Sequence, residues 1–275
     1  MLISRRMFLA GLAATARSTR QESWSMEFAS LDHVGMFVRD VSKTRDFLAR
    51  LFGFDLKRRY GTDYLRLGDS YLAFEQFAGD TSRSSINSVS ISIKRLQIPL
   101  LRSFLDVRGI RHRDFLNGRD LGLEDLEGNQ IQMSPENGWS FLNSPEFPDE
   151  TVALKETPMF RPLRLTHVVL RVEKFPSAVE FYQRVFGKPV RETSTLAVFA
   201  VGSGYVGVSR AVKDTRGLGP SEIGILTERV PVDGVRPRLR QLGINSFKDG
   251  ATISIFHDNV YFRVLTDETS VPVIG

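Results

Sequence analysis

The stretches LDHVGMFVRDVSKTRDFLARLFGFDLKR, from Leu31, and LTHVVLRVEKFPSAVEFYQRVFGKPVRE, from Leu165, are near copies of each other. A histidine is the third residue of each, His33 in one and His167 in the other. In both copies an aromatic-rich helical pattern follows and ends in Phe-Gly, with the glycine 20 residues beyond the histidine. Because a fixed internal period defines architecture before any single motif does, we infer that the chain is an internal duplication.

Each copy contains a further repeat. After the first strand and helix come two runs of alternating apolar and polar residues, TDYLRLGD and YLAFEQF in the first copy. Alternation of this kind is typical of half-buried strands. A second apolar strand, INSVSISI, a second helix and a hairpin follow, and the other copy repeats the order. The sequence therefore predicts an α+β fold of four βαβββ modules paired into two domains.

The predicted domain boundaries follow the repeat. The first domain spans residues 26–135 and the second spans residues 162–275. Residues 136–161 contain several prolines, which interrupt helices and strand ladders, and are predicted to form a linker. A chain of 275 residues is long enough for two domains that each bury a core of their own.

Residues 1–25 have the pattern of a leader. SRRMFLAGLAATA places Arg5 and Arg6 before a short apolar run that ends in small residues, and this resembles a bacterial twin-arginine export signal. The run is too short to span a bilayer, so we expect cleavage, no stable membrane anchor and a periplasmic or secreted protein. The alternative is that Met26 is the true start and the protein is cytoplasmic.

Composition excludes several function classes. The formal charge of +5 is spread along the chain, whereas a nucleic-acid partner would require a basic stripe, so no nucleic-acid partner is expected. The chain has no cysteine, no Gly-rich phosphate loop and no dinucleotide fingerprint. His112 and His257 lie in predicted surface segments. Nothing in the sequence decides between a monomer and a homodimer.

The four modules resemble the vicinal oxygen chelate superfamily, which includes glyoxalase I, bleomycin resistance proteins and extradiol ring-cleaving dioxygenases. The elements that carry the resemblance are LDHVGMFVRD, LTHVVLRV, the helix ends LFG and VFG, and the turn DLEGNQIQM. The resemblance implies that each domain curls into an open, cup-shaped barrel with the site inside. Two fused domains resemble the extradiol dioxygenases in particular.

The resemblance also implies positions for a divalent metal, Fe, Mn or Zn, held by His, His or Gln, and Glu. His33 and His167 match the first ligand. Ser88 and Glu222 stand at the second position, 55 residues after each histidine. At the third position the first domain has Gln132, and the second has Phe262 or, after a shift of one residue, Arg263. Glu75 on YLAFEQF is a further candidate carboxylate.

The pocket predicted by this comparison combines those polar residues with strand aromatics. We expect Phe74, Phe199 and Phe262 to line the cups, with Ser88 and Arg263 beside them. Such a pocket would take a small organic molecule, and an aromatic one suits this lining. Phe262 and Tyr261 are alternatively predicted to plug the second cup.

Three hypotheses about function remain open at this point. The first is a protein that binds a small organic molecule in one cup and whose metal sites are degenerate, so that it needs no metal. The second is a metal-dependent ring-cleaving dioxygenase or glyoxalase-like lyase. The third is a structural or assembly protein without a catalytic site. Bound metal, bound organic ligand, or neither would distinguish them.

Overall fold

The computed structural model describes residues 26–53, 56–59, 61–76, 85–115, 118–136, 157–211, 221–249, 252–258 and 260–266. The predicted leader, residues 1–25, and most of the predicted linker, residues 137–156, lie outside the described residues. The proposed export signal and the exact extent of the linker therefore stay predictions.

The first half of the chain contains two βαβββ modules. Their elements are β1 (Phe28–Val38), α1 (Val41–Phe52), β2 (Leu56–Arg59), β3 (Thr62–Leu67), β4 (Ser70–Gln76), β5 (Ser85–Ile93), α2 (Ile98–Val107), β6 (His112–Phe115), β7 (Asp120–Glu124) and β8 (Gln130–Pro135). The strands form one mixed sheet in the order β2-β3-β4-β1-β5-β8-β7-β6.

The second half repeats this arrangement. Its elements are β9 (Pro162–Val172), α3 (Phe175–Phe186), β10 (Arg191–Glu192), β11 (Leu196–Val201), β12 (Gly204–Arg210), β13 (Ser221–Thr227), α4 (Val232–Gln241), β14 (Ser246–Asp249), β15 (Thr252–His257) and β16 (Val260–Leu265). The sheet order is β10-β11-β12-β9-β13-β16-β15-β14. The predicted α+β class and the four modules are confirmed, and both sheets are open because β2 does not pair with β6, nor β10 with β14, among the described strands.

Strand alternation gives each sheet two different faces. On β1, Val34, Met36 and Val38 are fully buried and pack with Leu48 and Leu51 of α1. Because neighbouring residues of a strand point to opposite sides, the residues between them face away from the helices. We call this second face of each sheet its cup face.

The two domains contact each other through equivalent hairpins. The amide of Asp69 donates to the carbonyl of Leu163, and that of Ser203 donates to the carbonyl of Ala29. Gly68 and Gly202 occupy the two turns with φ of +62° each, and a Cβ at either position would overlap the opposing backbone carbonyl. Glycine is therefore required at both positions for two reasons: the positive φ and the close approach of the other domain's backbone.

A second pair of equivalent contacts links hairpin turns to helix starts. The Glu127 carboxylate accepts from the amides of Glu173 and Lys174, just before α3. In the other half, Asp258 accepts from the amide and the side chain of Arg39, just before α1. Because the chain is an internal duplication, each type of contact occurs twice in the interface, once from each domain.

His257 was predicted to lie on the surface, and this was wrong. Its ring stacks on Phe47 of α1 with centroids 3.8 Å apart, and its Nε2 lies 3.3 Å from the Thr44 hydroxyl. Burial lowers the pKa of His257, and the nearby Asp258 only partly opposes this. The β15–β16 turn carries this residue into the domain interface, which the sequence of one hairpin does not reveal.

Candidate functional site: two cup faces built from one pattern

Strand register places equivalent residues of both domains in one row across each cup face. In the first sheet the row reads Tyr71, His33, Ser90, Gln132 and Gly122. In the second sheet it reads Tyr205, His167, Gly224, Arg263 and Ser254. The tyrosine and the histidine are shared, and the next three positions differ.

The tyrosines were missed by the analysis of the sequence. Tyr71 and Tyr205 lie beside His33 and His167 on the neighbouring parallel strands. A signal existed, because the two tyrosines have the same spacing as the two histidines. Tyr71 is buried, and burial raises its pKa well above the usual value, so it stays neutral.

In the second domain, His167 and Glu222 form a buried pair. The Nε2 atom of His167 lies 2.9 Å from Oε1 of Glu222, and its Nδ1 lies 3.0 Å from the Thr166 hydroxyl. Both ring nitrogens of His167 are therefore engaged within the protein. Gly224 makes room for this ring, because a Cβ there would overlap it. The histidine itself has no exposed surface.

Arg263 completes this group from β16. Its Nε lies 3.0 Å from Oε2 of Glu222, so the carboxylate is held between an imidazole and a guanidinium. Burial alone would raise the pKa of Glu222, but the hydrogen bond and charge of His167, together with Arg263 and Arg171, lower it below its usual range. Glu222 is therefore ionised at neutral pH.

An apolar patch lies next to these polar groups on the same cup face. Val169, Leu196 and Val198 form a small cluster separate from the main core, and the half-buried Tyr205 packs against it. Val169 pairs with Glu222 across β9 and β13, so the patch and the charged group share one surface. An apolar wall with a few converging polar groups is the usual composition of a small-molecule site.

In the first domain, His33 takes a different partner. Its Nδ1 lies 2.8 Å from Oδ2 of the adjacent Asp32, and its ring stacks on Tyr71 with centroids 4.4 Å apart. The two histidines therefore contact a carboxylate through opposite ring nitrogens, Nδ1 in His33 and Nε2 in His167, although they occupy equivalent positions.

The other polar groups of the first cup face form a buried chain around Asp120, which sequence analysis did not identify. Oδ2 of this residue accepts from Gln132 at 2.6 Å and from Ser134 at 3.1 Å, and Ser134 contacts Ser90 at 2.9 Å. Burial raises the pKa of Asp120, and the hydrogen bonds from Gln132 and Ser134 only partly offset this.

The remaining polar candidates lie apart from His33. Glu75 is on the cup face but pairs with Phe37, four residues along β1, which is about 13 Å at the usual strand rise. Its carboxylate accepts from Thr62. Ser88 pairs with Gly35 and donates to Asn87 at 3.2 Å. The structure does not bring Glu75 together with the histidine.

The three aromatic residues predicted to line the cups instead belong to the core. Phe74, Phe199 and Phe262 are fully buried in the cluster that packs under the helices. Their strand positions have the wrong parity for the cup face. The ambiguity on β16 is thereby resolved: Arg263 matches Gln132, and Phe262 cannot plug the cup. Tyr261 shares the parity of Arg263 and stacks obliquely on Phe256.

The donor set does not fit the metal site that the resemblance implies. Among the described residues, no group of three or more His, Cys, Asp or Glu side chains could hold a metal ion. In the second domain, a guanidinium stands at the third ligand position and pairs with Glu222. In the first domain, the corresponding Gln132 donates its amide to Asp120. In neither arrangement does the third ligand position supply the negative charge that a divalent cation prefers.

The first module is similar in sequence to a known protein family. Residues 30–96 match the model of the Glyoxalase/Bleomycin resistance protein/Dioxygenase superfamily. This module is therefore similar to that superfamily. The match spans β1 to β5 and includes His33 and Ser88. No curated protein matches the chain in sequence.

Solved structures extend the likeness to both domains. The Mn(II)-bound glyoxalase from Novosphingobium aromaticivorans aligns with a TM-score of 0.62 at 12% identity, over 88% of this chain and 84% of that one. The 2,3-dioxygenase LapB from Pseudomonas sp. KL28 aligns with a TM-score of 0.61 at 14% identity, over 87% and 93%.

A third structure is a substrate complex. Homoprotocatechuate 2,3-dioxygenase from Brevibacterium fuscum, bound to 3,4-dihydroxyphenylacetate, aligns with a TM-score of 0.60 at 13% identity, over 87% of this chain and 81% of that one. At such identities the likeness shows the fold alone, namely βαβββ modules paired into two domains. In the described part of the chain, no helix is long and apolar enough to cross a membrane.

Proposed function

We propose that this chain is a two-domain protein of the glyoxalase superfamily that binds a small aromatic molecule on the second cup face without a metal ion. The single observation that carries the proposal is Arg263, whose guanidinium pairs with Glu222 at the position where the resemblance implies a metal-binding carboxylate. A fixed positive charge there opposes a divalent cation and supplies hydrogen-bond donors to a ligand instead.

The apolar patch supports the aromatic class of ligand. Val169, Leu196 and Val198 offer a wall for a ring, and Glu222 and Arg263 offer an acceptor and donors for its polar substituents. His167 is fully buried behind Glu222, so it holds the carboxylate in place and does not itself face the ligand. In this proposal the first cup face has no ligand, because Asp120 and Gln132 already bind each other.

Metal content tests the metal-free part of the proposal. We expect the purified chain, expressed with iron, manganese and zinc supplied, to contain well below about 0.1 metal per chain by inductively coupled plasma mass spectrometry. The double variant Glu222→His with Arg263→Glu restores the ligand types that the resemblance implies and is expected to gain metal. Near one metal per chain in the wild type, lost in His33→Ala or His167→Ala, would instead establish the metal-dependent enzyme.

Catechol serves as the probe for the ligand. We expect saturable binding by calorimetry that weakens about tenfold in Arg263→Met, since one charged hydrogen bond is lost. Gln132→Met is the matched control at the same row position of the first domain and should leave binding unchanged. Equal weakening in both variants, or no binding to the wild type, would contradict the proposal.

We also propose export by the twin-arginine route, on the basis of Arg5, Arg6 and the short apolar run that follows. A fusion of residues 1–25 to a reporter that is active only after export should give signal. The variant Arg5→Lys with Arg6→Lys should abolish it. Signal without the arginine pair would contradict this part of the proposal.

A further inference from the structure

A groove lies between the two domains, at the β6–β7 edge of the first sheet. Its volume is about 530 Å³, which is within the range of small-molecule sites. One wall comes from the segment after α2 and from β6 and β7, and the other comes from α3. The lining residues are Gly109, Ile110, Arg111, His112, Arg113, Gly122, Leu123, Glu124, Asp125, Leu126, Phe181 and Arg184.

Three arginines line this groove without a carboxylate partner. Among the described residues, Arg111, Arg113 and Arg184 form no ion pair. Arg113 lies over the Phe115 ring, with 4.7 Å between its Cζ and the ring centroid, and Arg184 donates to the carbonyl of Arg108 at 3.4 Å. These contacts leave most of the guanidinium donors available, since each guanidinium carries five.

The two acidic residues of the groove offset only part of this charge, since three arginines face two carboxylates. Asp125 is fully engaged: its carboxylate accepts from the amides of Glu127 and Asn129, at 2.9 Å each, and from the Tyr182 hydroxyl at 3.0 Å. Glu124 is exposed at the end of β7 and forms no ion pair within the described part of the chain. The groove therefore has a positive excess.

The groove also has an apolar side and fixed walls. Leu126 is 58% exposed, an unusual position for a leucine, and it faces the same space as Ile110 and Phe181. The hydrogen bond from Tyr182 to Asp125 joins α3 to the β7–β8 turn and holds the two walls together. A site whose walls are already positioned loses little entropy on binding.

We propose that this interdomain groove binds a small organic anion, with a carboxylate or phosphate group on the arginines and an aromatic or aliphatic body against Leu126 and Phe181. Guanidinium groups pair with both kinds of anion in bidentate geometry, and an apolar wall beside them favours an organic anion over an inorganic one. The site shares no lining residue with the second cup face, so it is a second binding function, and residues of both domains form it.

Calorimetry with phenyl phosphate and benzoate on the full chain tests this. We expect both anions to bind and the neutral analogue benzyl alcohol not to bind. The double variant Arg111→Gln with Arg184→Gln should weaken binding at least about tenfold, because two charge-assisted contacts are lost. The matched control, Arg191→Gln with Arg240→Gln, removes the same charge from exposed sites elsewhere and should bind as the wild type does.

This experiment and the catechol experiment test the two sites independently. Arg263→Met should leave phenyl phosphate binding unchanged, so failure at one site does not imply failure at the other. Unfolding midpoints of the groove variants should match that of the wild type, because Arg111 and Arg184 are exposed. Binding that the groove variant leaves intact, or no binding of either anion, would overturn the proposal. Inorganic phosphate binding as tightly as phenyl phosphate would overturn the assignment of an organic ligand.

Discussion

The two cup faces have equivalent strands, and each has a tyrosine and a histidine at equivalent positions. The histidine nevertheless has a different hydrogen-bond partner in each domain. His33 binds Asp32, its neighbour in the chain, whereas His167 binds Glu222 on the adjacent strand. Arg263 then ties Glu222 to a third strand. In the first domain the histidine is therefore held by a contact that is local in sequence. In the second domain, side chains from β9, β13 and β16 form one charged group.

This difference shows which parts of the duplicated unit are constrained. Gly68 and Gly202 have the same φ and meet equivalent carbonyls of the other domain, so both copies retain the interface. The cup faces differ more, and Gln132 in one copy corresponds to Arg263 in the other. Packing preserves one set of residues in both copies, while the polar residues of the cup faces differ.

The largest expected effect tests the symmetry of the interface. Gly202→Ala and Gly68→Ala should each destabilise the protein by about 3 kcal/mol or more, because positive φ and overlap with a backbone carbonyl combine. Chemical denaturation measures this. Gly109→Ala is the control: its φ of +63° is close to that of the two turn glycines, but no described atom lies within 4 Å of the added Cβ, so only about 1–2 kcal/mol is expected. Equal effects at all three positions would show that the hairpin contacts add nothing.

A smaller effect is expected at the positions that distinguish the cup faces. Glu222→Gln should destabilise the protein by about 2 kcal/mol, since it leaves the guanidinium of Arg263 without its counter-charge in a partly buried site. Ser88→Ala, at the same repeat position, should change stability by no more than about 0.5 kcal/mol. Comparable losses at the two positions would contradict the contrast between the domains.

The effect of Glu222 also has a pH dependence. The pKa of this carboxyl is lowered in the folded protein from its usual 4.5, so the unfolded chain takes up its proton first as the pH falls. The stabilisation is therefore complete above about pH 4.5 and is lost as the pH falls through the folded value. We expect the stability difference between wild type and Glu222→Gln to shrink in that window. A difference that stays constant down to acid pH would contradict the ion-pair assignment.

The smallest expected effect concerns the turn at the interface. The pKa of His257 is lowered from its usual 6.5, so folding favours the neutral ring, and stability should fall as the pH drops below 6.5. His257→Phe keeps a ring against Phe47 and removes the titration. Thermal melts of the two proteins should diverge by about 1–2 °C between neutral and mildly acidic pH. Parallel melting curves would show that this histidine does not couple pH to the interface.

Much of the fold could be predicted from the sequence, and the site only in part. The repeat around His33 and His167 predicted four modules and two domains, because a period and strand alternation are local properties of the chain. The predicted aromatic lining failed at Phe74, Phe199 and Phe262. On a strand, a shift of one residue reverses the face, and the sequence of a single strand does not fix which face meets the helices.

The sequence by itself determined the duplication, the α+β class and the equivalent positions of the two histidines. The tertiary structure alone decided that Arg263 occupies the place equivalent to Gln132 and pairs with Glu222, that Asp120 anchors the first cup face, and that His257 lies between the domains. These facts depend on register between strands distant in the chain and on how the two domains meet. Periodicity carries information about residues near each other in sequence, whereas pairing across a sheet is set by the packing of the whole molecule.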